Sequence, residues 1–235
     1  MFNYVLLVVL AFFPSIFWLL VVKFIDRKNP EPTKEVIRVF FWGCLIVIPA
    51  FILVQGAKFF LDKIGLPDFL YIIIISFVID GFIEEYAKYT VLRRKVYHRS
   101  IFDEPLDGLV YGVTVAMGFA FVENLLYIIF SRPEVMIMRF TNPTLMHALA
   151  TGIVGYHLAL AKFKNVSVAK KRLYIFLGLV LAVLLHGLYN SVIRYNVFFS
   201  IIPLTILIIA SYIYLLNGLR RSEKERLNQT DSKVL

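Results

Sequence analysis

Long apolar runs separated by short polar breaks dominate this chain. Seven runs approach or exceed the roughly 20 residues a helix needs to cross a bilayer. They cover about 4–22, 36–61, 69–92, 106–130, 142–162, 173–195 and 197–217. The breaks are short and rich in lysine and arginine. Pro30 and Pro32 stop any helix in the first break, and Thr33 is placed to cap the next span. Pro14 predicts a kink in the first run. The predicted fold is all-α, a polytopic transmembrane helix bundle of about seven spans.

Basic residues orient it. The breaks at 23–38, 93–105 and 162–172 and the segment after Asn217 hold 19 of the 25 lysines and arginines. The alternate breaks hold only Lys58, Lys63, Arg132, Arg139 and Arg194, with Lys88 left inside a span. The positive-inside rule makes the richer side cytoplasmic. The N-terminus is then outside and the C-terminus cytoplasmic, as an odd number of spans requires.

Composition agrees. The chain is 60% hydrophobic and 17% charged, with a mean hydropathy of +0.77. Soluble domains are about 45–50% apolar and about 25% charged. The net charge of +9 is accounted for by the loops and the tail, so no nucleic-acid partner is expected. Cys44 stands alone, which excludes intramolecular disulfides and a cysteine metal cluster. One integral-membrane domain is expected over 1–217, followed by a basic, disordered cytoplasmic tail over 218–235.

The exceptions inside the apolar runs carry the chemistry. Glu84, Glu85 and Lys88 lie in the third run, Glu123 in the fourth, His147 in the fifth and His186 in the sixth. A charge at the bilayer centre costs roughly 2.5–3.5 kcal/mol on insertion scales, which makes each a functional candidate. On an α-helix, Asp80, Glu84 and Lys88 form one polar stripe at i,i+4 spacing, with Glu85 turned about 100° away. Glu123 shares a face with Tyr127, and His186 shares one with Asn190. Gly108, Gly112 and Gly118 allow the fourth span a close helix neighbour.

Depth gives a conflict. At about 1.5 Å per residue, Glu123, His147 and His186 fall in one layer of the outer half, roughly 8–14 Å from that side, whereas Glu84 and Glu85 come out near 24 Å. Two carboxylates with two histidines are suited to activating water. A proton- or ion-coupled transporter and a non-catalytic scaffold are the alternative classes, since buried Asp80, Glu84, Lys88 and Glu123 would also suit a relay.

Four motifs in order carry a resemblance: Glu84-Glu85-x-x-Lys88, Phe119-x-x-x-Glu123-Asn124, His147 followed by Gly155, and His186-x-x-x-Asn190. They resemble those of PrsW-type intramembrane proteases, within the wider superfamily of CAAX-processing and bacteriocin-processing membrane proteases. The resemblance implies a multi-pass peptidase of the bacterial cell (plasma) membrane. It also implies site-1 cleavage of a single-pass anti-sigma factor near the outer face, leading to release of an extracytoplasmic-function sigma factor in an envelope stress response. Carried over by position, Glu84, Glu85, Glu123, His147 and His186 are the catalytic set, and Lys88, Asn124 and Asn190 support them. The expected partners are the lipid bilayer and the single-pass substrate. No cofactor is expected. Zinc, with His147, His186 and Glu123 as ligands, is the alternative, although a His-Glu-x-x-His pair is absent from the sequence.

Overall fold

The computed structural model describes residues 4–27, 29–130, 142–195 and 201–234. Arg132, Arg139, Lys28 and the expected span start at 197–200 lie outside the described residues. The described residues contain helices and no strand. Helix α1 is Tyr4–Ile25 and α2 is Thr33–Asp62. The third span is composite: α3 (Asp68–Ile73), a π-helix (Ile74–Phe82) and α4 (Ile83–Lys95). Then come α5 (Pro105–Phe130), α6 (Pro143–Phe163), α7 (Val168–Tyr195) and α8 (Ile201–Val234).

Four of these helices, α2, α5, α6 and α7, are long and apolar enough to cross a membrane. Helix α1 continues through Pro14. Its Ser15 hydroxyl donates to the Met117 carbonyl of α5 at 3.0 Å. The N-cap of α2 is Pro32, without a side-chain cap bond, and Thr33 is the first helical residue. Pro32 has the fixed φ of its ring, −57°, and two amides of the first turn hydrogen-bond its carbonyl. Helix α8 runs on past residue 217 through the stretch whose composition marks it as a tail.

Helix α6 is the axis of the bundle, buried on every side from Met146 to Ala161. A helix apolar all round belongs in a core. Small residues let its neighbours in. A Cβ on Gly155 would lie 1.8 Å from the Gly108 carbonyl oxygen of α5, and one on Gly112 would lie 2.7 Å from the Thr151 carbonyl oxygen. The α2–α5 contact has the same build: a Cβ on Gly118 would meet the Phe40 carbonyl oxygen at 2.0 Å. Backbone cannot yield as a side chain can. Gly155→Ala is therefore expected to destabilise the bundle by at least the roughly 1–3 kcal/mol typical of overpacking. Thermal unfolding in detergent checks this, and an unchanged melting temperature would contradict the α5–α6 contact.

The 26–32 connection is tied to the same bundle end. Asp26 accepts from the Glu31 amide at 2.9 Å, and Tyr111 of α5 donates its hydroxyl to Glu31. Burial holds both loop carboxyls, Asp26 and Glu31, above the usual carboxylate range.

Candidate active site

Four helices bring their polar residues to one point. Glu84 and Glu85 open α4 directly after the π-helix, Lys88 follows one turn later, Glu123 comes from α5, His147 from α6 and His186 from α7. Glu85 and Lys88 are fully buried. A charge in such a place persists only when paired and hydrogen-bonded. The Lys88 ammonium is 2.7 Å from Glu85 Oε1, 2.8 Å from His147 Nδ1 and 3.7 Å from Glu84 Oε2. The Phe119 ring centroid is 4.1 Å away on another side.

Glu85 is the hub. Its Oε1 also meets His186 Nδ1 at 3.0 Å, and its Oε2 accepts from the Thr151 hydroxyl at 3.0 Å. These partners assign the tautomers. His186 faces a carboxylate with Nδ1, so Nδ1 carries a proton. His147 accepts a hydrogen bond from Lys88 at Nδ1, so Nε2–H donates to Glu123 Oε2, 2.9 Å away.

A cavity of about 590 Å³ opens beside this network, with Glu84, Glu123, His147, His186 and Asn190 in its wall. Glu84 Oε2 is buried and has no hydrogen-bond donor among the described residues. It lies 3.9 Å from His186 Nε2. Glu85 and Lys88 are not part of the cavity wall, and neither is Asn124, whose side-chain amide donates to the Thr144 hydroxyl at 3.5 Å.

Two local expectations change. Lys88 pairs first with Glu85, at i,i+3, and stands farther from Glu84, at i,i+4. Asp80 shares the cavity wall with Glu84 but pairs elsewhere: Arg194 of α7 donates to it, and Lys58 of α2 lies 3.2 Å from it. The π-helix contributes to the second change. Its wider i→i+5 turn holds more residues, which changes the facing of Asp80 relative to Glu84 and shortens the advance along the axis. Over nine residues that shortening is only a few ångströms, so it narrows the depth difference without removing it, and the side-chain contacts are what place these residues together. Glu84 and Glu85 meet His186 and Lys88 in one layer.

Thr151, Phe119 as a ring under Lys88, and the pair Lys58 and Arg194 had not been singled out. Spacing held signals for two of them. Thr151 is i+4 from His147, and Arg194 is i+8 from His186 and i+4 from Asn190, on the same faces.

As for a metal, Glu84, His147 and His186 each present one ligand atom, all within 4.8 Å of one another. Glu84 thus stands where the sequence expectation had Glu123. His186 suits such a role, since a carboxylate on the far ring nitrogen is the usual support for a ligating imidazole. His147 does not. Its far nitrogen faces an ammonium donor, and its Nε2 is the protonated nitrogen. As arranged, the set falls one ligand short of the three that a catalytic zinc site uses.

A family model described as PrsW family intramembrane metalloprotease matches residues 31–216. The chain is 37% identical to Protease PrsW of Bacillus subtilis over 170 residues, which is 71% of this chain and 73% of that protein. It is 32% identical to Protease PrsW of Oceanobacillus iheyensis over 206 residues, 87% of this chain and 90% of the relative. Against Protease PrsW of Geobacillus kaustophilus the identity is 34% over 170 residues, 70% of this chain and 69% of the relative. No solved structure matches the chain.

Proposed function

The chain belongs to the PrsW protease family and is a multi-pass protein of the bacterial cell membrane, and from that premise we propose that it is a glutamate-dependent intramembrane endopeptidase. Its substrate is a single-pass membrane protein, an anti-sigma factor, cut at site 1 near the outer face. The cut leads to release of an extracytoplasmic-function sigma factor. The N-out, C-in arrangement expected from the basic residues, with Glu123, His147 and His186 expected in the outer half, supports that reading.

The observation that carries the chemistry is Glu84 Oε2, a buried carboxylate oxygen at the cavity without a hydrogen-bond donor among the described residues, 3.9 Å from His186 Nε2. One water spans that separation by donating to both acceptors. Its lone pair then points into the cavity, toward a scissile carbonyl. Glu84 takes the proton as the water attacks, and returns it to the amine as the C–N bond breaks. In this role His186 is the neutral tautomer with its proton on Nδ1, and its Nε2 accepts from the water and does not donate to the oxyanion. Asn190, one turn on and also at the cavity, has a side-chain N–H for that purpose. Glu85 and Lys88 act behind this set. Glu85 fixes the tautomer of His186, and Lys88 keeps positive charge close to Glu84 without entering the cavity.

A second reading has one observation in its favour, the common 4.8 Å reach of Glu84, His147 and His186. In it those three residues hold a zinc ion, whose chemistry would be to acidify water and polarise the carbonyl. It requires Lys88 to release His147. Co-expression of the full chain with a single-pass anti-sigma factor tests the proposal. A shortened product is expected from the native chain and none from the Glu84→Ala/His186→Ala variant, and equal product from both would defeat it. Treating the purified, reconstituted chain with a chelator should leave the rate unchanged. Loss of activity restored by zinc alone would transfer the case to the metal reading.

A further inference from the structure

The cavity has a second polar end that the hydrolytic chemistry does not use. It is walled by Lys58 of α2, Asp80 of the π-helix and Arg194 of α7. Asp80 is buried, whereas the Lys58 and Arg194 side chains are 25% and 30% exposed. Two cations share this one carboxylate. Arg194 directs Nη2 to Asp80 Oδ2 and Nη1 to the Ser76 hydroxyl at 2.9 Å. Among the described residues Lys58 reaches Asp80 Oδ1 alone, at 3.2 Å. A guanidinium carries five N–H donors and an ammonium three. Both groups therefore keep donors without an acceptor among the described residues. Spare, partly exposed cationic donors at one end of a membrane cavity favour an anion, and an arginine fork suits a carboxylate best.

The geometry points to an acidic subsite: we propose that Lys58 and Arg194 bind an aspartate or glutamate side chain of the substrate, about three or four residues from the scissile bond. This rests on the protease reading. The spacing follows from α7, where His186, Asn190 and Arg194 line the cavity at i, i+4 and i+8. Eight residues advance about 12 Å along a helix, and an extended peptide covers that length in three or four residues at about 3.3 Å each. The acidic residue belongs to the flank that runs toward the α2–α3 connection, where Lys58 lies close to the end of α2. The same donors would accept a lipid phosphate, so the test separates the two sources.

The full chain is reconstituted in vesicles with a single-pass substrate carrying Asp, Ala or Lys at each position from two to six residues either side of its cut. On one flank, at the third or fourth position, Asp should exceed Ala in kcat/KM by about ten- to a hundred-fold, the range of a charge-assisted hydrogen bond. The Asp/Ala ratio should fall to near one in Arg194→Gln, fall partly in Lys58→Gln, persist in Arg194→Lys, and invert toward Lys in Arg194→Glu. Because each ratio is internal to one variant, a general loss of folding cannot imitate it. A ratio near one at every position in the native chain would overturn the subsite, as would a preference that survives both neutral variants. So would a rate that follows added anionic lipid and ignores the substrate residue. If the native chain cuts none of the substrates, the protease reading itself fails and takes the subsite with it.

Discussion

Glu84→Gln is expected to lower kcat by about 10²–10⁴, the usual contribution of a general acid–base group. The substitution keeps the volume and removes the proton acceptor. Glu84 is the carboxylate at the cavity, and its Oε2 has no donor among the described residues. A glutamine there offers an N–H or a weakly basic carbonyl, and neither accepts a proton from water at neutral pH. Substrate affinity should change far less, so the loss belongs in kcat and not in KM. Cleavage kinetics with reconstituted protein, alongside a melting curve, separate this from unfolding. A Glu84→Gln variant that melts normally and cuts at the native rate would remove Glu84 from the mechanism. Glu85→Gln should behave differently. Glu85 binds Lys88, His186 and Thr151 and stays out of the cavity wall, so its loss should lower stability and activity together.

Lys88→Met should cost about 3–5 kcal/mol of stability, the range for removing one partner of a buried ion pair. Lys88 and Glu85 are both fully buried, and the ammonium is 2.7 Å from the carboxylate. Without it Glu85 retains a buried negative charge, His147 loses its donor at Nδ1, and Glu84 loses the nearest cation. The measurement is chemical or thermal unfolding in detergent, with retention on a sizing column as the folding control. The double variant Lys88→Met/Glu85→Gln is the companion. It discards the stranded charge and should recover part of the lost stability, since replacing both members of a buried pair costs less than removing one. Equal melting temperatures for Lys88→Met and the native chain would mean that the pair does not hold α4 in place.

Much of this site was legible in the chain. Carboxylates and imidazoles inside apolar runs are expensive, so their presence at Glu84, Glu85, Glu123, His147 and His186 marked a site before any geometry was known. Their order on consecutive spans carried the family. What spacing could not supply was the division of labour between the vicinal glutamates. Adjacent residues on one helix face different neighbours, and the identity of those neighbours is a tertiary fact. Glu85 met Lys88, His186 and Thr151, and Glu84 met the cavity.

An all-helical membrane bundle, the residues of its polar centre and, through glycines at 108, 112 and 118, the helix that others approach closely were all legible along the chain. These follow from local rules: apolar length, the cost of buried charge, and the absence of a Cβ. Only the tertiary structure decided that Ile74–Phe82 winds as a π-helix. An α-helical rise had placed Glu84 and Glu85 below the histidines, and i,i+4 spacing had tied Asp80 to Glu84. Contacts with α2 and α7 outweighed both. Arg194 and Lys58 took Asp80, Arg194 also took Ser76, and Gly81 let the segment approach the Val183 carbonyl of α7. The packing of four helices brought two glutamates level with two histidines, and no periodicity along the chain records the neighbours against which each helix packs.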